Sequence, residues 1–393
     1  MKYQDKILLP AGFHDLLPPE AALESRSVTK LLNIFARHGY EQVKPPLIEF
    51  ESSLTFGQAK ALRNQTFRLM DPISHETMAI RADMTTQIAR IASTRLHDKP
   101  LPLRLSYSGQ VMRVKGSGLY AERQMAEAGI ELIGSVSPEA DAEVILIAGE
   151  SLKALRIRDF SIDFSLPNLA NIVIQDLGTP EILWDKMLDL IDKKDFEGIQ
   201  EIRHRSSRVI VQLLSSTGPA KKILPNLATM IELPKKAREH CQRLREVIEI
   251  VAKADPKLKL TIDPLEYRGF EYHSGSSFSI FSKKAQNELG RGGRYRVIDY
   301  KKPEGEKHKG DGAEKFIEAV GFTLYINTIL RTLPKFRRKP RIYLPIGIKI
   351  PEAEALRKQG MITISGLEKV KDIATEAKRL GCSHYYDGGV KEI

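Results

Sequence analysis

At 393 residues the chain has room for two domains and a full hydrophobic core. It is 42% hydrophobic and 28% charged, as globular proteins are, and no apolar run reaches the length of a signal-peptide core or a membrane span, which points to a cytoplasmic protein. The net charge of +11 is compatible with nucleic acid, anionic small molecules or an acidic partner, while two distant cysteines, Cys241 and Cys382, exclude a disulfide framework.

Leu9 to Asp15 is a turn-rich lead-in. Pro19 near its start and Gly39 after its end predict a helix over 19–38, with Val28, Leu31, Leu32 and Phe35 on one face. The segment 43–48, broken by Pro45 and Pro46, reads as an edge strand or an interface. Leu101, Leu103, Leu105 and Tyr107 alternate with other residues, and Ala128, Ile130 and Leu132 do the same beyond a long loop, which predicts an antiparallel pair. Arg113 and Arg123 bracket the Gly-rich turn between them. Guanidinium forks grip carboxylates or phosphates, and Val114 and Lys115 place no carboxylate just after Arg113 to hold a metal. This predicts a site that binds an anion without reacting.

Pro138, Glu139, Asp141 and Glu143 start a helix with Val144, Ala148, Leu152 and Leu155 on one side. Phe160, Ile162 and Phe164 mark a strand, and 168–257 reads as a helical insertion broken by Pro180, Pro219 and Pro234. Strand character returns over 276–281, followed by a glycine-rich turn at 290–295 and a charged loop at 299–316. Phe322 to Leu330 reads as helix or strand-to-helix. The domains are then a core over 1–333, a basic linker over 334–341 and a small C-terminal α/β unit over 342–393.

Gly290 to Gly293 is able to nest an anion, yet it lacks the third glycine and the βαβ frame of a dinucleotide site, so a tight turn competes with phosphate binding. Histidines have no pairing at metal-ligand spacing, and Cys382 and His384 lack companions, so no metal is expected. Asp263 to Gly275 concentrates acids, tyrosines, Arg268 and His273 as a polar pocket does. Asp83, Thr85 and Thr86 stand before a helix, where Asp83 also suits an N-cap.

In order, Pro10–Pro18, Gly39-Tyr40 leading to Pro45-Pro46, Arg81–Thr85, Arg113–Gly134, Arg268–Tyr272 and Gly292–Tyr295 ahead of Val320-Gly321-Phe322 resemble the histidyl-tRNA synthetases. That resemblance implies an α+β fold: a class II synthetase-like antiparallel sheet core with flanking helices, the helical insertion and the C-terminal α/β domain. Against the synthetase pattern, the glutamate two places after Arg113 is Lys115, the adenine-stacking aromatic is Met125, and the late signature arginine with its preceding glutamate is Thr328 with Asn327. A threonine does not replace a guanidinium fork, so loss of adenylation is expected.

The amino-acid side keeps its polarity. By the resemblance, Asp83, Thr85, Arg113, Glu127, Glu131, Arg268, Tyr272 and His273 fall on or beside the histidine pocket, with Asp83 for a glutamate, Glu127 for a glutamine and His273 for a tyrosine. The combination is similar to the regulatory subunits of ATP phosphoribosyltransferase. That similarity implies a non-catalytic, self-associating subunit that activates a short catalytic subunit in a hetero-octamer and transmits histidine feedback, with histidine as allosteric ligand, no cofactor, no membrane and no nucleic acid. Two other readings stay open: a divergent, active histidyl-tRNA synthetase and a synthetase-like RNA-binding regulator.

Overall fold

Alternating burial along paired strands organises the chain in the computed structural model, which describes residues 9–54, 63–116, 121–227, 229–230, 232–267, 273–298, 316–334 and 339–393. It divides into two compact units, Met1–Leu333 and Pro334–Ile393.

The first unit opens with helix α1 (Glu20–Arg37), stopped where Gly39 takes a φ of +80°. Strands β1 (Glu41–Gln42) and β2 (Ile48–Phe50) flank an irregular 43–47, in place of one extended strand, because two prolines remove ladder donors there. Helix α2 (Glu51–Leu54), strands β3 (Arg68–Met70) and β4 (Thr77–Ile80) and helix α3 (Thr85–Thr94) follow, with β2, β4 and β3 forming a small antiparallel sheet. Strands β5 (Leu103–Met112) and β6 (Gln124–Ile133) are the expected antiparallel pair. Helix α4 (Pro138–Ala154) starts as its sequence directs: the Ser137 hydroxyl accepts from the Ala140 N–H at 3.3 Å, Pro138 sits in the first turn, and Glu139 and Asp141 face the positive helix end.

Beyond β7 (Phe160–Ser165) lies the helical insertion: α5 (Leu169–Asp176), α6 (Trp184–Asp192), α7 (Phe196–Glu201), α8 (Arg205–Ser215), the short β8 (Gly218–Pro219), α9 (Ala220–Leu227) and α10 (Lys235–Ala254). Strands β9 (Lys259–Ile262), β10 (His273–Ser282), β11 (Gly290–Ile298) and β12 (Phe316–Tyr325) and helix α11 (Ile326–Thr332) complete the unit. The large sheet runs β1-β5-β6-β12-β11-β10-β7-β9-β8, antiparallel from β5 to β7.

Gly290–Gly293 is strand, not the expected turn. A Cβ at Gly290 would stand 2.4 Å from the Thr323 carbonyl and one at Gly292 would stand 2.3 Å from that of Gly321, so these glycines let β11 lie close against β12. The charged segment 299–315 and Lys335–Arg338 of the basic run lie outside the described residues.

Even-numbered residues of β6 (Ala126, Ala128, Ile130, Leu132) enter the main core with α1, α4 and the insertion, where Phe35 meets Phe322 edge-on with ring centroids 5.8 Å apart. The odd face carries Met125, Glu127, Glu131 and Ile133 and packs with Leu105, Tyr107 and Val111 of β5. In the second unit, β14 (Ile362–Ser365), β13 (Arg341–Leu344) and β15 (His384–Tyr386) are parallel, with α12 (Ile350–Lys358) and α13 (Ile373–Arg379) between them in sequence. An antiparallel β16 (Val390–Glu392), not expected from sequence, pairs with β15. Cys241 and Cys382 are free and buried, and burial pushes the Cys241 thiol up to about 12, where it is inert.

One buried ion cluster ties the insertion to the sheet. Asp141 of α4 accepts from Arg294 of β11 at 2.8 Å and from Arg243 of α10 at 2.7 Å. Asp141→Ala leaves Arg294 as a buried charge without its carboxylate. Urea denaturation is expected to show a loss of about 3–5 kcal/mol.

Candidate functional site

Two carboxylates four residues apart on β6 occupy the sheet face opposite the main core, and both are buried, Glu127 at 0% and Glu131 at 1% exposure. Glu131 is fully engaged: the hydroxyls of Tyr107 and Tyr295 donate to its two oxygens at 3.2 and 2.9 Å. The Tyr107 hydroxyl also pairs with Thr323 at 2.8 Å. The room for Glu131 comes from Gly321 on β12, where a Cβ would stand 1.7 Å from the carboxylate. Glu127 is engaged on one side only. Its Oε1 accepts from Arg113 Nη2 at 3.1 Å, and its buried Oε2 has no hydrogen-bond partner among the described residues.

Arg113, just past β5, is anchored by a 3.1 Å bond from Nε to the Ala82 carbonyl, which brings it beside Asp83. Asp83 is not the N-cap of α3, a place Met84 takes without a side-chain bond, but sits one residue before it, where its Oδ1 accepts from the Thr85 N–H at 2.6 Å. Arg81, inside the same motif, is buried against the carbonyls of Pro45 (3.0 Å) and Gln110 (2.8 Å) and serves the architecture. His273 is buried on β10 and, with Thr85, Glu131, Arg291, Tyr295 and Thr323, encloses a space of about 10 Å³, room for roughly one water. The structure therefore gathers Asp83, Thr85, Arg113, Glu127, Glu131 and His273 in one region; Arg268 and Tyr272 lie outside the described residues.

Burial drives the electrostatics. It raises Glu127 to about 8, helped by the charge of Asp83 and opposed by Arg113, Arg81 and Arg291. It raises Glu131 to about 8 as well, against the hydrogen bond from Tyr295, with Asp83 adding to the rise. Burial works against the charge on Arg113, but Glu127, Tyr325 and Asp83 outweigh it and hold its pKa raised.

A larger cavity of about 290 Å³ adjoins Arg113 and is lined by Met125, Asn327 and Thr328, three of the four departures from the synthetase pattern. Its arginines are already committed to carboxylates: Arg113 to Glu127, Arg291 to Glu288 at 2.7 Å, and Arg331 to Glu122. Asn327 is spent on the fold, its Oδ1 accepting from the Ala126 N–H at 2.9 Å. Lys115 is exposed and is not among the lining residues. Arg123, expected as the second anion fork, instead lies over Phe67 (4.6 Å) and Phe13 (5.3 Å) and donates to the Ala11 carbonyl. Aromatic stacking and a local carbonyl, both out of reach of sequence spacing, take its charge.

Sequence reasoning missed Tyr107, Thr323 and Gly321. Each reads as ordinary strand residue; only the cross-strand register, with Tyr107 opposite Gly129 and Gly321 opposite Glu131, places them at the carboxylate. Among the described residues no group of three or more metal-ligating side chains forms, and no helix is long and apolar enough to cross a membrane.

Residues 12–329 match the family described as histidyl-tRNA synthetase. Similarity to ATP phosphoribosyltransferase regulatory subunits runs the length of the chain. That of Rhodospirillum centenum is 46% identical, covering 98% of this chain and 96% of its own. That of Paramagnetospirillum magneticum is 43% identical, covering 97% and 96%. Among solved structures, an ATP phosphoribosyltransferase regulatory subunit/histidyl-tRNA synthetase from Bacillus halodurans C superposes with a TM-score of 0.80 at 21% identity, over 97% of each chain. Histidyl-tRNA synthetase from Nostoc sp. PCC 7120 gives 0.76 at 19% identity, over 98% of this chain and 92% of its own. These two establish the class II synthetase fold.

The raised carboxyls have a measurable signature. Folding lifts Glu127 and Glu131 from the ordinary 4.5 to about 8, so between those values the folded state holds protons that the unfolded state has lost. Ligand-free stability should therefore fall as pH rises from about 5 to about 8, on the order of 1 kcal/mol per pH unit for each carboxyl. Denaturation of Glu127→Gln should show a shallower fall than the parent; an equal slope would contradict the assignment.

Proposed function

Since the chain belongs to the ATP phosphoribosyltransferase regulatory subunits, built on the histidyl-tRNA synthetase fold, we propose that it senses histidine and controls a catalytic partner without doing chemistry itself. The observation that carries this reading is the contrast between two adjoining regions. The nucleotide side is lined by Met125, Asn327 and Thr328, and its arginines are already held by carboxyl groups of the same chain. A triphosphate would have to break those pairs before gaining anything from them. The amino-acid side keeps buried acceptors and an arginine, the groups an amino acid's ammonium and carboxylate require.

In this reading histidine lies among Asp83, Thr85, Arg113, Glu127, Glu131, Arg268, Tyr272 and His273, and the partner is the short catalytic subunit of the phosphoribosyltransferase, in a cytoplasmic hetero-octamer. A space of about 10 Å³ beside Glu131 and His273 does not itself admit an amino acid, whereas the cavity of about 290 Å³ that Arg113 lines does. Feedback needs a ligand that binds the two states of an assembly unequally.

Co-purified with the short catalytic subunit, the chain should support phosphoribosyltransferase activity that histidine inhibits. Asp83→Ala and Arg113→Ala should each raise the inhibitory histidine concentration about tenfold or more. If both variants keep full histidine sensitivity, the site is misplaced. The isolated chain should give no histidine-dependent ATP–pyrophosphate exchange; clear exchange would return it to the synthetases.

A further inference from the structure

Among the described residues the wall of the 290 Å³ cavity carries three arginines, Arg113 past β5, Arg291 on β11 and Arg331 on α11. Arg291 stands near enough for its charge to oppose that of Arg113. Guanidinium groups gathered around one hollow make a polyphosphate site by composition, because their planar forks match phosphate oxygens. Two carboxylates on the same wall, Glu122 and Glu288, stand against that use.

Both carboxylates are built into the wall. Glu288 accepts from the Ser279 hydroxyl on Oε1 at 2.9 Å and from Arg291 Nε and Nη2 on Oε2 at 2.9 and 2.7 Å. Glu122 meets Arg331 from 209 residues away in the chain, and a clamped segment delivers it. In that segment the Arg123 guanidinium lies over Phe13 and Phe67. The Arg123 N–H donates to the Gly12 carbonyl at 2.9 Å, and its own carbonyl accepts from the Arg113 N–H at 2.8 Å. The side chains of Glu122 and Glu288 are only 19 and 22% exposed. An arriving anion that took their arginines would leave each carboxylate mostly buried without its cation, which costs free energy.

We propose that Glu122 and Glu288 are specificity-determining residues that keep polyphosphates out of this cavity, each holding an arginine that would otherwise grip one. Discrimination between ligands commonly rests on such a repulsive element as well as on contacts to the favoured ligand. The purpose of the exclusion rests on the regulatory reading above: a phosphoribosyltransferase that uses ATP works among polyphosphates, and a sensor beside it has to ignore them. The exclusion itself is a property of this chain alone. Neutralising the two carboxylates removes two negative charges from the wall and frees Arg291 and Arg331, so the cavity turns into the anion site that its arginines compose.

The test is calorimetric titration of the full chain with inorganic pyrophosphate at about 0.15 M salt. The double variant Glu122→Gln/Glu288→Gln should bind it more tightly than wild type, by about tenfold for each arginine freed. Adding Arg291→Gln and Arg331→Gln should abolish the gain. A double variant that binds no more tightly than wild type overturns the proposal, and so does a gain that survives the loss of both arginines. If the double variant does not fold, Glu122→Gln is compared with Glu122→Asp, which keeps the charge. Tighter binding in the glutamine variant alone supports the proposal, and any other ranking overturns it. Titration of wild type with histidine tests the sensing reading separately; its failure there would leave the pyrophosphate result standing.

Discussion

The two-residue period of β6 is the constraint on which the rest of this molecule depends. Because successive side chains point to opposite faces, Ala126, Ala128, Ile130 and Leu132 anchor the main core while Glu127 and Glu131 reach the other side from the same strand. The two roles cannot be separated: a one-residue slip would drive both carboxylates into the apolar core and expose the site face to leucine and isoleucine. Ten paired positions with β5 and seven with β12 fix that register. The site is therefore as rigid as the centre of the sheet, a sound place for groups that must be held against their own desolvation.

Glycine makes the arrangement possible on β6 itself and on the strands beside it. Gly321 yields its side-chain volume to Glu131, and Gly129 yields its own to the Tyr107 ring, whose hydroxyl would lie 2.6 Å from a Cβ there. These are close-approach glycines inside strands, as are Gly290 and Gly292, and not hinges or phosphate nests. A glycine-rich string invites the reading of turn or loop; here it marks where large polar side chains and neighbouring backbones crowd into a sheet.

This explains which parts of the molecule were legible in the sequence. The helix over Glu20–Arg37, the β5–β6 pair, the capped start of α4 and the helical insertion follow from local rules of periodicity, capping and proline placement. Glu127 and Glu131 were singled out only through the resemblance, by which they fall on or beside the histidine pocket. What stayed hidden was set by register between segments far apart in the chain. Tyr107 and Thr323 are 216 residues apart and meet only through β6. Arg123 gave a false signal for the same reason, since Phe13 and Phe67 come to it from elsewhere. The nucleotide side was legible because its residues were compared position by position with a known pattern; Met125, Asn327 and Thr328 do line one cavity. The carboxylates of Glu122 and Glu288 on its arginines were not foreseen, as neither departs from any pattern that spacing reveals.

Those carboxylates bear on how binding and chemistry come apart on one scaffold. Transfer to an adenylate requires fixed positive charge that is free to meet a developing anion, since preorganised but uncommitted dipoles are what lower a barrier. An arginine that donates through two nitrogens to one carboxylate oxygen, as Arg291 does to Glu288 Oε2, has spent that capacity in the ground state. A sensor has the opposite requirement. It needs no transition state, only a different free energy for its ligand in two conformations.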